Sequence, residues 1–311
     1  MIPSLGRLAL AVAAAALAGC GLGPGSSSEG TAAVTVTRDY GATPMIEGSV
    51  EDPAETETVM RLLDREAEIE TRYGGGFVQS IEGVSGSAEA GRNFDWFFYV
   101  NGIESPIGSA DRKVEGGDRI WWDHRDWTDA MRVPAVVGSW PEPFAQASAG
   151  ADRVPVVLEC SGSRLPCATA RERFSDEGIE ISEPGPDDGE ALRVLVGTWP
   201  RLHDDPAAAL LDDGPEASGV FARFERTGPA TELVALNVRS RPVERLGAGA
   251  GLIAAVRDGE RPPTWIVSGV DNDGVAAAAD AISESVLRDR FAVIVAADSD
   301  ATLAVPIVEG S

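Results

Sequence analysis

The pattern of apolar and polar positions divides the chain into two regions with different predicted elements. In the first region, residues 32–130, short stretches rich in β-branched and aromatic residues predict strands. One stretch with helical spacing predicts a helix that starts at Thr56 or Thr58, and Asn101-Gly102 between apolar runs predicts a hairpin turn. The predicted strands cover 33–37, 69–73, 76–81, 94–100 and 119–122. One helix among several short strands predicts an α+β, β-grasp-like N-terminal domain.

The second region, residues 153–307, alternates short apolar runs with Ala-rich stretches. The apolar runs are nearly continuous, which is typical of strands buried on both faces. They predict strands at 154–159, 179–182, 192–199, 232–238, 265–270 and 291–296. The Ala-rich stretches predict helices at 167–174, 206–211, 248–256 and 273–287. This alternation predicts an α/β domain with a mostly parallel sheet. Pro, Gly and small residues between the two regions predict a linker at 131–152.

Composition excludes several classes of function. The 311-residue chain has 50 acidic and 26 basic residues and a formal net charge of −24. We therefore expect no nucleic-acid partner, since a phosphate backbone would be repelled, and no electrostatic attachment to an anionic bilayer. Two His and three Cys are too few for a multi-His or four-cysteine metal site in one chain. No motif predicts a catalytic site, so a binding protein is favoured over an enzyme.

The first twenty residues indicate where the protein is located. Arg7 precedes an apolar run, 8–17, that is too short to span a bilayer. The run ends in Leu17-Ala18-Gly19-Cys20, which resembles the lipobox of bacterial lipoproteins. This resemblance implies a signal peptide at 1–19, acyl chains such as palmitate on Cys20, and a lipid anchor at the extracytoplasmic face of the cell membrane. The alternative is an ordinary cleaved signal in which Cys20 is incidental. The Gly/Ser-rich residues 20–31 predict a flexible tether.

The other two cysteines, Cys160 and Cys167, then remain as one pair in a compartment that permits disulfides. Gly162 and Pro166 between them help the chain to turn back. A redox-active pair more often has the spacing Cys-x-x-Cys. The spacing therefore favours a structural disulfide.

Several segments of the first region together resemble a known family. They are Thr58-Val59-Met60, Ile81-Glu82-Gly83-Val84, Trp96-Phe97-Phe98-Tyr99-Val100-Asn101-Gly102 and Gly117-Asp118-Arg119-Ile120-Trp121-Trp122. Across most of 32–127 the chain resembles a domain-of-unknown-function family that is similar to the C-terminal domain of transcobalamin and intrinsic factor. In the animal carriers that domain covers one face of the corrin, and a helical barrel holds the other. This sequence shows no helical barrel repeat, so the resemblance implies only half of a cobalamin site.

Aromatic residues are concentrated in the same region, where four of the seven Trp fall between 96 and 127. Alternation along 94–100 places aromatic side chains on both faces of one strand, which exceeds what a single core needs. The second face either binds a ligand or packs on the C-terminal region. The candidate ligand-binding residues are Tyr73, Phe77, Phe97, Tyr99, Asn101, Trp121, Trp122, His124 and Trp127. His124 is either a ligand of cobalt or another metal, or a loop histidine that is solvated or paired with its flanking acids.

These patterns favour a lipid-anchored extracytoplasmic protein that binds a corrinoid or another flat ligand for uptake. The alternative is an adaptor of a membrane transporter or envelope complex that binds no small ligand.

Overall fold

The computed structural model describes residues 27–149, 154–183, 185, 190–228 and 230–308. Of the residues that the structure describes, 42% are in strands and 20% in helices. The strands in the described part are β1 (Thr31–Arg38), β2 (Thr43–Glu51), β3 (Ile69–Arg72), β4 (Phe77–Ile81), β5 (Val84–Ser85), β6 (Ser87–Glu89), β7 (Arg92–Val100), β8 (Ile103–Glu104), β9 (Arg119–Asp126), β10 (Val156–Ser161), β11 (Ile181–Ser182), β12 (Leu192–Thr198), β13 (Ala222–Thr227), β14 (Ala230–Leu236), β15 (Pro242–Leu246), β16 (Ala250–Val256), β17 (Thr264–Gly269), β18 (Ala292–Ala296) and β19 (Ser299–Val305). The helices there are α1 (Val59–Glu66), α2 (Phe144–Ala149), α3 (Arg164–Asp176), α4 (Trp199–Leu202), α5 (Pro206–Ala209), α6 (Pro215–Ser218), α7 (Asn272–Asp280) and α8 (Glu284–Leu287), and Tyr73–Gly75 form a 3-10 turn.

The first sheet has the strand order β2-β1-β9-β7-β6, with β8 paired to β7. β1 and β9 are parallel, and the other pairs are antiparallel. Helix α1 covers one face of this sheet. It begins after Thr58, whose side chain accepts a hydrogen bond from the backbone N–H of Arg61, and it buries Val59, Leu62 and Leu63. A small sheet of β3, β4 and β5 contributes to the same core.

The second sheet has seven strands in the order β11-β10-β12-β17-β16-β18-β19. The pairs from β11 to β17 are parallel, and those from β17 to β19 are antiparallel. Successive residues of its strands contribute to two different cores, as Val194 and Leu195 do. Helices α3 and α7 cover one face. On the other face lie a three-stranded antiparallel sheet, β13-β14-β15, and the aromatic residues of the first sheet.

The predicted fold class, a β-grasp-like α+β domain followed by an α/β domain with a mostly parallel sheet, is wrong. The protein is mostly β, with several sheets. Half of the six pairings in the second sheet are antiparallel. The main error is at 248–256, where a helix is predicted but β16 is found. Every residue of β16 is buried, so the strand shows no polar alternation to distinguish it from a buried Ala-rich helix.

The segment predicted as a linker, 131–152, contributes to the core where the structure describes it. Trp140 and Phe144 are fully buried. The ring of Trp140 lies 4.8 Å from that of Phe174 and 5.6 Å from that of Trp265. The Pro and Gly content indicated an exposed connection, but the aromatic side chains between them determine the packing. How the chain divides into separate domains stays a prediction.

Candidate functional site

Three of the candidate ligand-binding residues lie in the core between the first and second sheets. Tyr99 and Trp121 are buried, and their rings lie 5.7 and 5.0 Å from that of Phe291. Phe97 packs against the same core, and the guanidinium carbon of Arg125 lies 3.8 Å from its ring centroid. In this arrangement the three rings pack against other residues of the same core and are not open to a ligand. They match the alternative in which the second aromatic face packs on the C-terminal region.

Trp122 and His124 lie on the opposite face of β9, where Trp122 joins the core with α1 and β4 and His124 contacts β5 and β7. Trp122 is buried and stacks on Phe98 at 4.8 Å. His124 is buried against Trp96, with ring centroids 5.1 Å apart, and its Nε2 lies 3.2 Å from the carbonyl oxygen of Ser85. Burial lowers the pKa of His124, so the ring is neutral at pH 7. The structure places this histidine on a strand and in the core, whereas the sequence predicted it in a loop.

The side-chain amide of Asn101 is hydrogen-bonded to other residues of the protein. It is buried in the turn after β7, and its backbone has a φ of +56°. Its side-chain nitrogen donates to Asp118 Oδ1 at 2.8 Å and to Gln146 Oε1 at 2.7 Å, and its oxygen accepts from the N–H of Arg119. The amide therefore links the first sheet to helix α2.

The remaining three candidates, Tyr73, Phe77 and Trp127, lie together along one open cleft of about 500 Å³. Tyr73 is 87% exposed and Phe77 is 41% exposed, and their rings meet edge to face at 6.2 Å. Trp127 is half-buried, and its backbone N–H donates to the carbonyl oxygen of Asn93 at 2.8 Å. These residues come from the 3-10 turn, the start of β4 and the position directly after β9. The structure thus gathers the exposed members of the predicted set into one site.

Polar groups surround this aromatic cleft, which we define by Tyr73, Phe77 and Trp127. Gln79 and Asp95 line it. Gln79 Oε1 is a buried acceptor without a hydrogen-bond donor among the described residues. Burial raises the pKa of Asp95, although the backbone N–H of Trp96 donates to its carboxylate. A ligand could stack on the exposed rings beside these polar residues.

Sequence reasoning missed Gln79 and Asn93. Gln79 is an ordinary polar residue of a predicted strand and Asn93 directly precedes another, and only the approach of β4 to β7 brings them beside Phe77 and Trp127. The exposed aromatic at Tyr73 was the available signal.

The structure describes two of the three cysteines. Cys160 and Cys167 lie at disulfide distance, with their Cα atoms 5.9 Å apart. Cys20 and the signal-like segment lie outside the described residues. No helix in the described ranges is both long and apolar enough to cross a membrane. Within those same ranges, no three His, Cys, Asp or Glu side chains come together as a metal site.

Comparison with known proteins gives limited matches. Residues 56–125 match the family described as Domain of unknown function (DUF4430). A crystal structure of a "putative metal binding protein" from Ruminococcus gnavus aligns at 16% identity and a TM-score of 0.24, and the match covers 32% of this chain and 98% of that chain. No curated protein matches the chain. These matches assign no function to the aromatic cleft.

Proposed function

We propose that this protein is a non-enzymatic, lipid-anchored binding protein at the extracytoplasmic face of a bacterial membrane. It takes a corrinoid or another flat ligand in the aromatic cleft and serves its uptake. The observation that carries this proposal is the exposure of Tyr73 beside Phe77 at the mouth of a cleft of about 500 Å³. Apolar surface left in water costs about 25 cal/mol per Å², so clustered exposed rings are typical of a binding surface.

The shape and polarity of the cleft fit such a ligand. Its volume lies in the range of small-molecule sites. The rings of Tyr73 and Phe77 offer apolar contact, and Asp95 is a polar residue that lines the cleft. A corrin ring with amide groups at its edge presents both an apolar face and hydrogen-bond donors. Because the cleft is open, it would cover only part of a ligand of that size.

Equilibrium dialysis of the purified protein against cobalamin, followed by the absorbance of the ligand, tests this proposal. We expect saturable binding of one ligand per chain. The double variant Y73A/F77A should bind roughly tenfold more weakly, since aromatic contacts contribute about 0.5–1.5 kcal/mol each. The matched control is L165A/V243A, which truncates two exposed apolar residues elsewhere. Absence of saturable binding up to high micromolar cobalamin would exclude the corrinoid, and equal losses in both variants would exclude this cleft.

The lipid anchor is supported by the sequence Leu17-Ala18-Gly19-Cys20. Expression of the full chain in a bacterium, followed by membrane fractionation and mass measurement of the N-terminal peptide, tests it. We expect an acylated peptide that begins at Cys20, and release of the C20S variant from the membrane fraction. A C20S variant that stays in the membrane fraction would contradict the lipid anchor.

One observation favours the alternative function, an adaptor of a transporter or envelope complex. Trp127 also lines a neighbouring cleft that contains Met131, which is 65% exposed. The exposed apolar surface is therefore wider than one small ligand needs, and a protein partner would contact both clefts. Copurification with a membrane transporter that is lost in M131A, together with no cobalamin binding, would favour the adaptor.

A further inference from the structure

We propose that a second cleft, the arginine cleft, binds the phosphate group of a small soluble ligand. It has a volume of about 460 Å³ and is defined by Arg92, Arg239 and Arg241. It lies where the end of the first sheet meets the loop between β14 and β15. Phe94 lines both this cleft and the aromatic cleft. The inference does not depend on a flat ligand at the aromatic cleft.

The charges of the arginine cleft do not cancel. Asp126 Oδ2 accepts a hydrogen bond from Arg92 Nε at 2.8 Å, and Asp39 pairs with Arg38 at 3.7 Å. Among the residues that the structure describes, these two are the carboxylates that line the cleft. In the part of the chain that the structure describes, Arg239 and Arg241 form no ion pair, although acidic residues outnumber basic ones by 50 to 26. Two uncompensated positive charges in so acidic a chain indicate a site for an anion.

The loop that carries these two arginines is held in place by its own hydrogen bonds. Asn237 Oδ1 accepts from the backbone N–H groups of Arg239 and Arg241, at 3.0 and 3.1 Å. The N–H of Asn237 donates to the carbonyl of Arg241, and the N–H of Ser240 donates to the carbonyl of Asn237. Little backbone ordering is therefore required when an anion binds. The bonds involve backbone groups, so substitution of either arginine side chain leaves them intact.

Arg92 is also fixed in position. Its Nε is used by Asp126, and its guanidinium carbon lies 4.7 Å from the ring centroid of Phe94. Its two terminal nitrogens make no hydrogen bond to the described residues, so they remain available as donors. Arg239 is half-buried and Arg241 is exposed, which leaves the cleft open to solvent.

The donor set fits a phosphate group. A guanidinium presents two parallel N–H donors to phosphate oxygens, and three such groups can surround one dianion. Soluble phosphate esters and anionic lipid headgroups share this chemistry. The net charge of −24 repels an anionic bilayer surface, so we assign the soluble source.

Calorimetric titration of the purified protein with inorganic phosphate and with glycerol 3-phosphate tests the site. We expect one ion per chain, with an affinity that falls as salt is added. The variant R239Q/R241Q should bind at least about tenfold more weakly, because hydrogen bonds to charged groups are among the stronger ones. The matched control, R164Q/R171Q, removes the same charge from α3 and should bind as the wild type does. Thermal melting of both variants verifies that they fold.

Other outcomes would overturn the proposal. Equal weakening in the two double variants would show a general charge effect and no site. No saturable heat with either phosphate compound up to about 10 mM, a range weaker than ordinary specific binding, would show that the cleft does not hold phosphate. A different result is that the wild type cosediments with phosphatidylglycerol vesicles, loses this in R239Q/R241Q, and binds no glycerol 3-phosphate. That result would show that the cleft binds a lipid headgroup and would overturn the assignment to a soluble ligand.

Discussion

At the scale of single residues, one buried carboxylate fixes the turn between β1 and β2. Asp123 is fully buried and accepts hydrogen bonds from Thr37 Oγ1 at 2.6 Å and from the backbone N–H groups of Tyr40 and Gly41 at 3.0 Å. Tyr40 and Gly41 both have positive φ, +58° and +82°. Burial raises the pKa of Asp123 to about 6, in spite of these hydrogen bonds, which lower it. The carboxylate therefore remains largely ionised at pH 7.

The role of Asp123 is testable by truncation. The variant D123A leaves two buried N–H groups without acceptors in the turn that positions Tyr40, whose ring packs against Phe291 at 4.9 Å. We expect the free energy of unfolding to fall by about 3 kcal/mol, measured by urea denaturation. The control D64A, at an exposed position of α1, should change it by less than about 0.5 kcal/mol. Equal unfolding curves for D123A and wild type would contradict this account.

The position of Asp123 shows where sequence reasoning failed. The predicted strand ended at 122 because polar residues usually end a buried strand, but β9 continues to Asp126. Alternation along β9 places His124 on one face and both Asp123 and Arg125 on the other. The carboxylate of Asp123 and the imidazole of His124 therefore lie on opposite sides of the sheet and do not pair. Hydrogen bonds from Thr37, Tyr40 and Gly41 keep the charge of Asp123 in the strand. Spacing along the sequence does not reveal partners that lie so far away.

At the scale of elements, the bond between Cys160 and Cys167 joins the end of β10 to the first turn of α3. Ser163 stands at the N-cap of α3 but its side chain makes no capping hydrogen bond. The disulfide thus provides a constraint that the cap does not. The sequence predicted this pair because, with Cys20 assigned to the lipid anchor, two cysteines remained, and partners so close in sequence need no knowledge of the fold.

Removing the disulfide should lower stability by about 2 kcal/mol, since the short loop that it closes restricts the unfolded chain. Thermal melting of C160A/C167A is the measurement, with wild type in reductant as a second condition. We expect the reduced wild type to melt near the double variant, and reductant to leave the double variant unchanged. If the wild type has the same melting temperature with and without reductant, the stabilising role of the disulfide is contradicted.

Element types were predictable where the apolar pattern was distinctive. Strands such as β7, β12 and β17 coincide with predicted ones, because runs of β-branched and aromatic residues favour extended backbone. The prediction failed at β16, where small apolar residues fit a helix and a buried strand equally well. That one element changes the sheet from mostly parallel to mixed.

At the scale of the whole molecule, the aromatic face of the first sheet is completed by residues far along the chain. Trp121 and Tyr40 contact Phe291, and Tyr40 also contacts Phe221 at 5.3 Å. The sequence predicted aromatic residues on both faces and left open whether the second face binds a ligand or packs on the C-terminal region. Packing accounts for the centre of that face. The exposed rings of the proposed ligand surface, Tyr73 and Phe77, lie instead on the 3-10 turn and β4. Local patterns contain no information on which distant segment covers a face.

The same junction between sheets contains a carboxyl group that should make stability depend on pH. Glu142 is 6% exposed, and its Oε2 accepts a hydrogen bond from the backbone N–H of Gln146 at 2.9 Å. Burial raises the pKa of Glu142 to about 7, and the charge of Asp118 adds to the rise, while the Gln146 N–H and Arg119 oppose it. Glu142 and Asp289 line one cleft of about 390 Å³, and burial raises the pKa of Asp289 as well.

The sign of the effect follows from proton uptake. Between about pH 4.5 and 7 the folded protein keeps a proton on Glu142 that the unfolded chain releases, so stability falls as pH rises through this window. The variant E142Q cannot ionise and keeps an oxygen acceptor for Gln146. We expect E142Q and wild type to have similar free energies of unfolding at pH 4. At pH 8, E142Q should be more stable by up to about 3 kcal/mol, because one pKa unit corresponds to about 1.4 kcal/mol. The control E55Q removes the same charge at an exposed site. The free energy of unfolding of each variant is measured by urea denaturation at several pH values between 4 and 8. If it depends on pH in the same way for E142Q and E55Q, the assignment to Glu142 is refuted.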